Sequence, residues 1–187
     1  MPVATTTRVS IDEFLAMPET EPPSELVDGE ILQKATPNED HGSLVAELIR
    51  LIGNYLRASG EGRVLTEVRH ADRADEWVYL PDINVALGKR STPRGSRGPV
   101  ENIVEFAIEV LSPDDRLTRV LRRIDLYLRS GTRLLWLVDA ENRSITVYRR
   151  AEQPVSHYAP EVIDAQPVLS RFELDLAELF AVLPDED

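Results

Sequence analysis

Ile103-Val104-Glu105-Phe106-Ala107-Ile108-Glu109-Val110-Leu111 runs directly into Ser112-Pro113-Asp114-Asp115. The first nine residues are apolar enough for a strand covered on both faces, which is a central place in a sheet. The next four read as a helix start. After them Leu117, Val120, Leu121, Ile124 and Leu128 recur at helical spacing and predict the buried face. Gly131 ends that helix, and Arg133 to Asp139 and Ser144 to Arg149 predict two more strands around a short Asp139 to Arg143 turn. A strand–helix–strand unit over residues 103–139 therefore predicts an α/β protein whose mixed sheet is flanked by helices.

Upstream, Ser10 and Glu13 form a capping box before Phe14 and Leu15, predicting a short helix that ends before Pro18. Glu19 to Ser24 reads as a Pro-rich linker. Glu25-Leu26-Val27-Asp28-Gly29-Glu30-Ile31-Leu32 predicts two short strands around an Asp-Gly turn. Asn38 or Asp40 can cap a long helix with Leu44, Val45, Leu48, Leu51, Ile52, Tyr55 and Leu56 on one stripe, stopped by Gly60 and Gly62. Strands are expected over Arg63 to His70, Glu76 to Leu87 and Ile103 to Leu111. The slip in alternation at Pro81-Asp82 suggests a bulge or bend. Lys89 to Pro99 is a loop rich in Gly, Pro, Ser and Arg, expected to be mobile. From Val162 the tail offers a strand and a short Leu174 to Leu183 helix. The expected order is αββαβββαβββ(α). At 187 residues the chain is expected to form one domain: 1–24 as N-terminal helix and linker, 25–150 as core, and 151–187 as C-terminal strand and short helix.

The composition, 42% hydrophobic and 29% charged, is that of a folded soluble protein. No apolar run approaches the roughly 20 residues of a membrane span, so no membrane partner is expected. MPVATTTRVS lacks the apolar stretch of a secretory signal, and a cytoplasmic location follows as the expectation. Without cysteine there is no disulfide, thiol nucleophile or thiolate metal site, and three scattered histidines make a structural zinc improbable. The net charge of −12 argues against non-specific coating of nucleic acid. From Lys89 to Arg150, however, 13 Lys/Arg face 8 Asp/Glu, a net of +5 that leaves −17 for the remainder. A polyanion could meet a favourable face there; solvated helix and loop surface is the plainer reading.

Two carboxylates interrupt apolar strands. Asp82 follows Pro81 inside Val78 to Leu87, and Glu109 lies between Ile108 and Val110. A carboxylate in a central strand is costly unless paired or metal-bound. On neighbouring strands the two could share one ion in an oxygen-rich Mg²⁺ site. Alternatively, each pairs with an arginine or faces solvent.

Pro81-Asp82, Ile108-Glu109-Val110-Leu111-Ser112-Pro113, Asp115-Arg116-Leu117, Tyr127, Gly131 and Trp136 to Asp139 come in an order that resembles the PD-(D/E)XK nuclease superfamily. More closely, with Glu25 to Glu30 and His41 at the start of a long helix, the chain resembles the Uma-two family of putative restriction endonucleases. The resemblance spans nearly the whole sequence. It implies a restriction-endonuclease-like core and a Mg²⁺- or Mn²⁺-dependent endonuclease with DNA as substrate. Asp82, Glu109 and the main chain of Val110 would hold the ion, which lowers the pKa of bound water and neutralises phosphate charge. Glu25 matches a recurrent acid, an accessory ligand or support. His41 matches a position that could touch phosphate or ion, or merely hydrogen-bond at a helix start. A homodimer is the expected assembly, since superfamily enzymes that cut both strands often work as two-fold pairs.

The chain departs from the superfamily at the lysine. Two residues after Glu109 stands Leu111, and the family's alternative position on the following helix is Arg123. Lys34 and Lys89 align with neither. Arginine keeps its proton at working pH, so Arg123 cannot be a general base. It could stabilise the transition state electrostatically, or it could be an ordinary helix edge with its stem packed. The alternative function is a lapsed nuclease fold that binds nucleic acid or a protein without cutting.

Overall fold

The computed structural model describes residues 8–88, 98–101 and 103–184. Most of the Lys89 to Pro99 loop lies outside the described residues. Helix α1 (Ile11–Ala16) carries the expected capping box, with Ser10 and Glu13 bonded reciprocally. Strands β1 (Ser24–Val27) and β2 (Glu30–Gln33) pair antiparallel. Their turn has positive φ at both Asp28 (49°) and Gly29 (76°), the backbone that a tight two-residue hairpin needs. Asn38 caps α2 (Glu39–Ser59) by accepting the His41 N–H, and Gly60 closes it in the left-handed conformation. Leu44, Leu48, Ile52 and Leu56 are its buried stripe.

Six strands form the main sheet in the order β10-β9-β8-β7-β6-β3: β3 (Gly62–Thr66), β6 (Ile83–Leu87), β7 (Phe106–Val110), β8 (Leu134–Asp139), β9 (Ser144–Arg149) and β10 (Val155–Tyr158). Within it β7 and β8 run parallel through α3 (Leu117–Ser130), and the other pairs are antiparallel. A second sheet, β2-β1-β5-β4, adds β4 (His70–Asp72) and β5 (Trp77–Tyr79). The tail folds as a β11 (Val162–Asp164) and β12 (Glu173–Asp175) pair followed by α4 (Leu176–Phe180). Alternation along β7 divides the core. Phe106, Ile108 and Val110 pack with α2 and the tail, while Ala107 packs with α3 and residues of the second sheet. Mixed sheet and flanking helices agree with the expected α/β class. Among the described residues no helix is long and apolar enough to cross a membrane.

Five local readings need correction. Glu76 to Leu87 is two strands in two sheets, β5 and β6, and the slip at Pro81-Asp82 is the crossing between them. Proline has no N–H for a ladder, and the Leu80 N–H is bonded instead to the Glu25 carboxylate. Arg63 to His70 likewise divides, ending as β3 at Thr66 and resuming as β4 at His70. Ser112 to Asp115 is a turn rather than a helix start. Its Asp115 carboxylate accepts the Ser112 N–H at 3.0 Å, so α3 begins at Leu117 without a side-chain cap. On α3, Val120 and Ile124 are buried as expected, but Leu117 is 70% and Leu121 53% exposed. Arg123, Leu126 and Tyr127 are buried in their place, because the helix rolls its polar pair onto the carboxylates of β1 and β7. At the C-terminus the helix is shorter than Leu174 to Leu183, since Leu174 belongs to β12 and Asp175 caps α4.

Candidate active site

β6 and β7 pair with Ile83 opposite Ile108. One step further along that ladder brings Asp82 opposite Glu109 at the end where the chain crosses from one sheet to the other. Both side chains take the face opposite Ile83 and Ile108, towards α3 and the second sheet. Glu25 arrives from β1, His41 from the first turn of α2, and Arg123 and Tyr127 from α3. Asp82, Glu109 and Glu25 are all buried, at 6%, 3% and 3% exposure. A cleft of about 380 Å³ is lined by Asp82, Glu109, Val110, His41, Arg123 and Lys34, among others.

Each carboxylate has a different set of partners. Asp82 Oδ2 accepts the Val110 N–H at 2.9 Å and lies 3.3 Å from His41 Nε2. Its Oδ1 accepts from Lys34 Nζ at 2.7 Å. Glu109 Oε1 accepts the Tyr127 hydroxyl at 2.5 Å, while Oε2 faces Arg123 Nη1 at 3.7 Å, beyond hydrogen-bonding distance. Glu25 Oε1 accepts the Leu80 N–H at 2.9 Å, and its Oε2 stands 4.0 Å from Arg123 Nη1. Arg123 Nη2 reaches Asp115 Oδ1 at 3.3 Å, and its buried Nε has no partner among the described residues. Tyr127 is wedged edge-on against Trp77 and Tyr79.

The electrostatics follow from burial. Glu109 is pushed up to about 7 by desolvation, which the attraction of Arg123 and Lys34, itself opposed by Asp82 and Glu25, does not cancel. Burial also acts against the Asp82 carboxylate, but Lys34 and His41 outweigh it and hold the group well below the usual carboxylate range. Burial likewise disfavours the Lys34 ammonium, and the Asp82, Glu109 and Glu25 carboxylates together raise it above an ordinary lysine. The Tyr127 phenol is raised far above its usual value by burial and by Glu109. Burial is therefore what sets Glu109 apart from Asp82 in this cluster.

The structure thus brings the sequence-derived candidates Asp82, Glu109, Val110, His41 and Arg123 to one cleft, while Glu25 lines the adjoining cavity and faces Arg123 from there. It adds three residues that sequence reasoning missed: Lys34, Asp115 and Tyr127. In the sequence Tyr127 and Asp115 stand out only as parts of a motif. Lys34 fits neither lysine position of the superfamily, although lysine is rare here: two of 21 Lys and Arg residues. That rarity was the one available signal.

The donors fit a hard divalent cation. Mg²⁺ is commonly held by one or two carboxylates and keeps several waters, and Asp82 and Glu109 with the Val110 carbonyl supply such an open oxygen set. Among the described residues no group of three or more His, Cys, Asp or Glu side chains forms a ready-made metal cage. Glu109, buried and incompletely neutralised, is the oxygen ligand such an ion would relieve.

The Uma2 family, described as "Putative restriction endonuclease", matches residues 11–178. The chain belongs to the Uma2 family. Its fold is that of a "putative nuclease belonging to DUF820" from Anabaena variabilis ATCC 29413, at TM-score 0.83 and 30% identity, with 94% of this chain and 99% of that one covered. A DrdV–DNA complex matches at TM-score 0.37 and 21% identity over 59% of this chain and 10% of that one, too loosely to carry an argument. No curated protein matches the chain. The restriction-endonuclease-like architecture of this Uma2 member is therefore established together with its family.

Proposed function

We propose that this Uma2 protein is a divalent-metal-dependent endonuclease that hydrolyses DNA phosphodiester bonds. The observation that carries the reading is the buried Asp82–Glu109 pair, opposed across β6 and β7 at the sheet crossing and open to one cleft. Keeping both acids buried is costly unless something uses them. Asp82, Glu109 and the Val110 carbonyl would hold Mg²⁺ or Mn²⁺. When bound, the ion supplies an activated water and charge neutralisation at the phosphate. His41 orients Asp82 from the far side of its carboxylate. Tyr127 fixes the rotamer of Glu109, leaving Oε2 towards the cleft. Arg123 balances Glu25, Glu109 and Asp115 and keeps the acids from repelling one another apart.

Cutting both strands calls for two active sites, so the proposal includes a two-fold homodimer. A monomer mass by light scattering at micromolar protein refutes that part. The whole reading is tested by calorimetric Mn²⁺ titration alongside plasmid nicking with Mg²⁺, Mn²⁺ or chelator. Wild type should take up the ion and nick, and Asp82→Ala should lose both. Ion uptake with DNA retention but no nicking under either metal supports instead a lapsed nuclease that binds without cutting, the reading favoured by arginine at position 123.

A further inference from the structure

We infer that Lys34 is the catalytic cation of this site, resting on Asp82 in the metal-free chain and meeting the scissile phosphate when the site is loaded. The inference rests on the nuclease reading above and names the group that supplies the missing lysine. Lys34 follows the last residue of β2, and its backbone N–H is pinned to the Pro23 carbonyl at 2.9 Å. From that anchor its side chain crosses to the sheet junction, where Nζ donates to the Leu80 carbonyl at 2.8 Å and to Asp82 Oδ1 at 2.7 Å. An ammonium has three donors on a flexible stem. Among the described residues two are used, and the third is available to an acceptor in the cleft.

Arg123 is less suited to this role. Its guanidinium faces Asp115, Glu109 and Glu25 at 3.3, 3.7 and 4.0 Å, so its charge serves as their counter-ion. Lys34 also sits where the main cleft adjoins a second cavity of about 380 Å³ lined by Arg116 and Arg119. In a chain where many arginines are paired to carboxylates, the side chains of these two make no ion pair among the described residues. A phosphate backbone leading past them would end at Lys34.

The position of Lys34 on Asp82 has a consequence that an ordinary structural salt bridge lacks. Asp82 Oδ2 already serves the Val110 N–H and His41. Oδ1 is thus the oxygen left for a divalent ion, and Lys34 occupies it. Two cations cannot share it closely without repulsion, so Lys34 has to turn towards the phosphate as the ion is taken up. Removing its charge should therefore strengthen metal binding and weaken catalysis. Removing a lysine that merely sits on Asp82 would strengthen metal binding and leave nicking at saturating metal unchanged.

The test is Lys34→Met. DNA-free Lys34→Met should bind Mn²⁺ about tenfold or more tighter than wild type by calorimetry, while plasmid nicking falls about 10²-fold, on the scale of one lost transition-state donor. Since Lys34→Met leaves Asp82 buried without its partner, a measurement on wild type accompanies it. Lys34 and Lys89 are the protein's two lysines, so ¹⁵N NMR of the ammonium groups resolves Lys34 directly, and its resonance should shift on Mg²⁺ addition. An unmoved Lys34 signal at saturating Mg²⁺ overturns the inference. So does Lys34→Met that nicks like wild type or binds Mn²⁺ no tighter; both outcomes leave the nuclease reading standing. Wild type that takes up no Mn²⁺ and nicks nothing overturns both.

Discussion

Arg122 holds Asp28 through Nε and Nη2 at 3.0 and 2.9 Å and Glu30 through Nη1 at 3.0 Å, whereas Arg123, next in sequence, meets its carboxylates only at 3.3 to 4.0 Å. By geometry alone the Arg122 cluster is the better one. The Arg122 side chain is 36% exposed, however, and that of Arg123 is 11%. Water screens the first set of charges and competes for their hydrogen bonds, so such pairs contribute little. The second set lies between two sheets and a helix, where an unmatched charge has nowhere to go. Burial, and not the shortness of contacts, decides which charges carry consequence in this molecule.

Substitutions at Arg123, Glu109 and Arg122 test this difference between buried and exposed charge. The largest effect is expected from Arg123→Ala, which strands Glu25 and Glu109 without their counter-ion. It should destabilise the fold by about 3–5 kcal/mol in urea denaturation, with Arg123→Lys recovering most of it. A loss within about 1 kcal/mol would mean that the buried cluster behaves like a surface one.

An intermediate effect concerns pH. Glu109 titrates near 7 in the folded, metal-free protein and near its ordinary 4.5 once unfolded. Between those values the folded state holds a proton that the unfolded chain releases. Stability in chelator should then fall as pH rises from about 5 to 7, and Glu109→Gln should flatten that slope. Asp82 has the opposite shift, and the stability it contributes is lost only below the ordinary carboxylate range, outside this window. Thermal melts of both proteins across the window decide the matter. A wild-type slope that survives in Glu109→Gln assigns the proton elsewhere.

The smallest effect belongs to Arg122→Ala, which should cost no more than about 1 kcal/mol despite losing four hydrogen bonds. Nicking should be unchanged. A larger loss would show that the hairpin carrying Asp28 and Glu30 depends on α3 more than its exposure suggests.

Much of the architecture was legible because it is encoded between near neighbours. The Ser10–Glu13 box, the Asp28-Gly29 turn, the Asn38 and Gly60 caps and the β8–β9 hairpin each depend on residues a few positions apart. The candidate carboxylates were legible for another reason: Asp82 and Glu109 stand out as polar residues in apolar runs. The buried side of α3 was misread because Leu117 and Leu121 fit helical spacing as well as Val120 and Ile124 do. Periodicity gives the width of a stripe, and the partners available to Arg123 and Tyr127 chose its rotation.

Near neighbours in the sequence specify α1, α2, the β1–β2 and β8–β9 hairpins and the strand–helix–strand unit around α3, and they mark which acids would be expensive to bury. The tertiary structure alone decided that the chain changes sheets at Leu80 to Asp82, and that Glu25 caps the N–H freed there across 55 positions. It also decided that Lys34 reaches Asp82 across 48 positions. The reason is range: caps and turns are settled by torsions and hydrogen bonds within a few residues, whereas a buried charge takes whichever partner the packing of two sheets delivers to it.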